Sequence, residues 1–84
     1  MLPLTSHAKF EMERRGIKEE EIEQVFLNPV QKIKLSGVRE IWQNQMTQDG
    51  KIYVLRMVVE LEPKLTIVTV YKSSKIKKYW REDS

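Results

Sequence analysis

The chain has 84 residues and a formal net charge of +3, with an isoelectric point near 9.3. That length makes one domain, residues 1–84, with a modest core and no room for a large cofactor cleft beside it. It contains no Cys and a single His, which excludes disulfides, zinc-thiolate sites, Cys nucleophiles and a His-based metal cluster.

The N-terminal run Met1-Leu2-Pro3-Leu4 has neither a basic start nor a long apolar stretch, so a signal peptide is not expected. No apolar run approaches the roughly 20 residues that span a bilayer. The expectation is a cytoplasmic protein without a membrane partner, cofactor or metal, working on a macromolecule at its surface.

Thr5 and Ser6 are good N-caps for a first helix over about His7 to Arg15, and Gly16 is a natural stop. Ala8, Met12 and the stem of Arg15 share one face of it at helical spacing. A second helix is predicted from about Lys18 to Leu27. Ile22, Val25 and Phe26 form its apolar stripe, and Glu19, Glu20 and Glu23 face outward in the first turns, where the helix dipole favours anions. Asn28-Pro29 ends it.

After Pro29 the period changes to two. Val30 to Leu35 reads as a strand, Ser36-Gly37 as a turn, and Val38 to Met46 as the next strand. Asp49-Gly50 is a hairpin signal. The third strand spans Lys51 to Glu60, a loop carries Glu62-Pro63, and the fourth spans Leu65 to Lys72. Lys75 to Trp80 forms a short helix or a strap. The fold class is α+β: two N-terminal helices packed on one face of a four-stranded antiparallel sheet, with a short basic C-terminal segment.

The third strand is apolar on both faces. Ile52, Val54 and Val58 alternate with Tyr53, Leu55, Met57 and Val59, and in the fourth strand Val68 and Val70 oppose Leu65 and Ile67. Two helices cover one face only. The other needs Ile76, Tyr79 and Trp80 from the tail, or a partner protein. Arg56 is the charge that interrupts the face of Ile52, Val54 and Val58. It is either a snorkelling edge residue or a phosphate ligand on an open sheet face, and the cost of a mid-strand guanidinium without an anion favours the second.

The run from Val68 to Arg81 begins as a strand and ends as a basic, aromatic tail with Tyr71, Lys72, Ser73, Lys75, Lys77, Lys78, Tyr79, Trp80 and Arg81. Hydroxyls, cations and rings together suit RNA. Lys72, Ser73, Lys77, Lys78 and Arg81 are the predicted RNA contacts. Metal-free RNA cleavage needs a base, an acid and cations for the phosphate charge. The set that could supply them is His7, Arg14, Arg15, Arg56, Tyr71, Lys72, Ser73 and Lys75. Each also has a plain structural reading. His7 could cap the helix or pack on a Tyr, Tyr71 could be an edge residue, and Trp42 and Trp80 could be core residues rather than base-stacking platforms.

Ser6-His7-Ala8, Met12, Arg15-Gly16-Ile17 with a Glu-rich helix after it, and Val68-Thr69-Val70-Tyr71-Lys72-Ser73-Ser74-Lys75 resemble a family of small bacterial domains of unknown function. That family is placed in the superfamily of barnase, EndoU, colicin and RelE-type ribonucleases, near the RelE and BrnT toxins. The resemblance spans nearly the whole chain. It implies a RelE/BrnT-like fold, metal-independent RNA cleavage, and an antitoxin protein covering the active face. The family's His falls on His7, its Arg before Gly-Ile on Arg15, and its C-terminal Tyr, hydroxyl and Lys on Tyr71, Ser73 and Lys75. The chain departs at Glu11, where the family often has Arg: a carboxylate there would repel a phosphate, which implies reduced or lost catalysis, or could instead act as a base.

The first expectation is therefore a ribonuclease toxin of a toxin–antitoxin pair, cleaving RNA (mRNA in particular), with His7, Arg15, Arg56, Tyr71 and Lys75 as catalytic residues. The alternative is a non-catalytic module of the same fold that binds RNA or protein, and a homodimer through the second sheet face is a third reading.

Overall fold

The structure is a computed structural model that describes residues 2–82. Its elements are α1 (Ser6–Arg14), α2 (Glu19–Leu27), β1 (Gln31–Ser36), β2 (Arg39–Gln48), β3 (Lys51–Glu60), β4 (Thr66–Ser73) and α3 (Ile76–Tyr79). The four strands form one antiparallel sheet in the order β1-β2-β3-β4. This is the predicted α+β meander.

Local chemistry sets the element boundaries. The Thr5 hydroxyl accepts a 3.0 Å hydrogen bond from the Ala8 N–H, which caps α1, and donates to the Val68 carbonyl at 2.9 Å. One side chain thus starts the helix and ties it to β4. Leu4 forms a parallel bridge with Ile67, so the N-terminal segment covers the β4 edge. Gly16 ends α1 with φ 63°, a conformation that a Cβ disfavours. The Glu21 carboxylate accepts from the Lys18 N–H at 2.8 Å and closes the first turn of α2. Asp49 and Gly50 both have positive φ, 53° and 77°. That is the two-residue turn whose twist matches a hairpin, and it fixes the unbroken β2–β3 register from Gln48↔Lys51 to Arg39↔Glu60.

Helices α1 and α2 cover the first sheet face. Ala8, Ile22 and Val25 pack there against Trp42, Leu55, Met57, Val59, Ile67 and Val70, all buried. The Phe26 and Trp42 rings lie 5.7 Å apart. Trp42 is thus a core residue, not a stacking platform. The expected strand alternation fails in β4. Register shifts between Val58 and Val59, which pair with Thr69 and Ile67, so Val68 is the extra residue of a bulge. The bulge turns Ile67 and Val70 to the same face, where both are fully buried, whereas alternation puts them on opposite faces.

On the second face, four directly paired residues form one row across the sheet: Gln31, Gln43, Arg56 and Tyr71. The C-terminal segment crosses this row as a strap that includes α3. Of the two covers expected for this face, the chain supplies the first. Ile33, Ile41 and Val58 in the adjoining row are half-buried.

Met57 is fully buried between the helices and the sheet. Met57→Ala is expected to lower the unfolding free energy by about 2–5 kcal/mol, read from urea denaturation. A loss below about 1 kcal/mol would contradict the placement of the core.

Candidate functional site

The guanidinium of Arg56 is the centre of the second face. It is 7% exposed. Its Cζ lies 4.2 Å from the Tyr79 ring centroid and 5.3 Å from that of Tyr71. The two rings meet edge to face, with centroids 6.0 Å apart at 72°. Arg56 is therefore held by aromatic faces rather than by a carboxylate. The expectation of a phosphate ligand on an open face does not hold in this arrangement, because the strap closes over it.

The strap is held by carboxamides. Gln43 Nε2 donates to the Tyr79 carbonyl at 2.9 Å and to Gln31 Oε1 at 2.7 Å. Gln31 Oε1 also accepts from the Arg81 N–H at 3.1 Å, and Gln31 Nε2 donates to the Arg81 carbonyl. Sequence reasoning passed over both glutamines. The available signal was a polar residue on an alternating face with Ile33 or Ile41, and its meaning depends on knowing the register.

Tyr71 is half-buried at the end of β4. Burial pushes its hydroxyl pKa above the ordinary value, against the pull of Arg56 and, more weakly, Arg15. Burial thus favours the protonated phenol, with the Arg56 guanidinium 5.3 Å from its ring. Arg15 is the C-cap of α1, and its Nε donates to Glu11 at 2.8 Å. The same carboxylate takes Arg14 through Nε and Nη2, the shortest contact being 2.8 Å. Glu11 is 8% exposed, and these two cations, Arg14 foremost, lower its pKa to about 2. Glu11 thus acts as a brace that fixes the two arginines and removes one unit of their charge.

The remaining expected residues are distributed unevenly. His7 is exposed and forms no hydrogen bond or ion pair among the described residues. It shares a helical stripe with Glu11 and Arg15 but stands eight positions before Arg15, about 12 Å along the axis at 1.5 Å per residue. Lys72 pairs with Leu55 and so points to the first face, away from Arg56. Its ammonium donates to Gln48 Oε1 at 2.9 Å and lies 5.4 Å from the Tyr53 ring. The Ser73 hydroxyl accepts from the Lys75 N–H at 3.1 Å and shapes the turn into α3. Lys75, Lys77, Lys78 and Arg81 have exposed side chains along the strap. The structure thus brings Arg56 and Tyr71 together with Tyr79, holds Arg15 on Glu11 at the end of α1, and turns Lys72 to the other face. Among the described residues there is no metal-ligating cluster and no helix long and apolar enough to cross a membrane.

A family model described as Domain of unknown function (DUF4258) matches residues 4–72, and the chain belongs to that family. The match ends at Lys72, before the strap. Comparison with curated proteins and with solved structures finds no match.

The Glu11 brace has a pH signature. A folded pKa near 2, below the ordinary 4.5, means that the contribution of Glu11 to stability is complete above about 4.5 and is lost as pH falls through about 2. Urea midpoints measured down that range are expected to fall less steeply for Glu11→Gln than for the parent. Equal slopes would contradict the brace.

Proposed function

We propose that this member of the family acts on RNA as a metal-independent ribonuclease of the RelE and BrnT toxin type, silenced in its host by an antitoxin protein. The observation that supports this best is geometric: the Arg56 guanidinium lies 5.3 Å from the Tyr71 ring, near the end of the edge strand β4. In cleavage by a 2′-hydroxyl, water takes the O2′ proton, an O2′–P bond forms, the P–O5′ bond breaks and O5′ receives a proton, leaving a 2′,3′-cyclic phosphate and a 5′-hydroxyl. Tyr71 supplies that proton, and Arg15 with Lys75 offsets the charge that gathers on the phosphate. Arg56, beneath the strap, acts through Tyr71 and is a positioning residue. Lys77, Lys78 and Arg81 extend the cationic track along the RNA backbone.

A second reading has its own observation. His7, the expected base, is about two helical turns from Arg15, and Glu11 halves the charge of Arg14 and Arg15. A corner with an acid and cations but no adjoining base binds RNA without cutting it.

Purified chain incubated with RNA in a metal chelator separates the two. The first reading expects discrete cleavage, a rate lowered about 100-fold or more by Tyr71→Phe, and weaker RNA binding with an unchanged fold for Lys75→Ala. Intact RNA with binding that falls steeply as salt rises establishes the second. Folded protein that neither binds nor cuts RNA contradicts both.

A further inference from the structure

The corner at Tyr71 leaves one feature of the second face unused. Gln43 and Arg56 are directly paired positions on β2 and β3, and both are buried. Yet Gln43 Oε1 and Arg56 Nε have no hydrogen-bond partner among the described residues. One is an acceptor and the other a charged donor on neighbouring strands, and they do not satisfy each other. Buried polar atoms left in this state are rare and costly. They mark a row shaped for a partner it does not hold in the closed arrangement.

The cover over this row is lightly built. Gln31 and Gln43 hold the strap by its backbone, through the Tyr79 carbonyl and the N–H and carbonyl of Arg81. Any group with amide-like donors and acceptors can take those places. Helix α3 has four residues and buries none of them. The strap also lies beyond the residues that match the family, 4–72.

We infer that the row Gln31, Gln43, Arg56 and Tyr71 is a nucleotide site covered by the strap, and that a base of single-stranded RNA enters it when the strap lifts. The inference deepens the RNA-directed reading above and rests on it. Carboxamides read the donors and acceptors of a nucleobase edge, and an unpaired acceptor beside an unpaired donor is the complement of such an edge. Guanidinium planes and Tyr rings are the surfaces on which unstacked bases lie. Lys75, Lys77 and Lys78 are exposed on the strap itself, where their charge favours a sugar–phosphate chain. A peptide backbone satisfies the carboxamides too, but it brings a flat ring to Tyr71 and Arg56 only where it carries an aromatic side chain, whereas every nucleotide brings one.

The test is an NMR titration of the full chain with a uridine hexanucleotide. The side-chain amides of Gln31 and Gln43 are expected to shift at the RNA concentration where the Trp80 and Arg81 N–H groups lose protection from hydrogen exchange. An abasic sugar–phosphate hexamer is expected to leave both glutamines unmoved. Tyr79→Ala, which removes the ring above Arg56, is expected to bind RNA about tenfold more tightly, because a larger fraction of the protein is open. RNA that binds the parent while glutamines and strap stay unchanged overturns the nucleotide site and leaves the RNA-directed reading standing. Release of the strap by an acidic hexapeptide and not by RNA reassigns the row to peptide. No RNA binding by parent or variant removes both readings. The titration of the parent decides the matter even where Tyr79→Ala does not fold.

Discussion

A guanidinium buried on the middle of a sheet, with no carboxylate beside it among the described residues, is the constraint on which the rest of this structure depends. Arg56 lies on β3, an interior strand, on the face the two long helices do not reach. Removing its charge from water without compensation would be prohibitive. The chain answers with two aromatic faces, Tyr71 from β4 and Tyr79 from the strap. This draws the C-terminal segment back across the sheet. The glutamines of β1 and β2 then fix its path, since they bind its backbone at Tyr79 and Arg81. The position of Tyr71, the cover of the second face and the line of lysines on the strap all follow from that demand.

The distribution of charge on the outside is simpler than the sequence suggests. Glu19, Glu20 and Glu23 are exposed on α2, which packs on the first sheet face, while the strap lysines lie over the second. The acidic block of α2 and the exposed strap lysines thus lie over opposite faces of the sheet. Glu11 is the exception, a carboxylate placed among cations. On sequence grounds it would repel a phosphate. In the fold its charge is taken by Arg14 and Arg15, so it restrains two arginines more than it opposes a ligand.

Much of the fold was legible in the sequence because local signals and periodicity agreed. Gly16, Pro29, Asp49 and Gly50 stand at true boundaries, and β3 spans the predicted residues. The apolar excess of β3 and β4 correctly announced a second covered face. What alternation could not reveal is the bulge at Val68. It rests on register with β3, a long-range property, and it reassigned Val70 to the helix face. The site was legible in part. Arg56 and Tyr71 lie side by side, although they are distant in sequence. Gln31 and Gln43 escaped notice because a glutamine in a strand looks the same whether it faces water or a buried backbone. His7 and Lys72 were drawn in by residue type, and the helix axis and strand pleat direct them elsewhere.

The central claim is that RNA engages the molecule where Tyr71 and the strap meet. Photocrosslinking of a thiouridine-substituted RNA to the full chain, followed by peptide mapping, tests it most directly. The account predicts adducts on Tyr71, Tyr79 and the strap between them. Adducts confined to α2 or to the outer edge of β1, with none in residues 71–82, would contradict it.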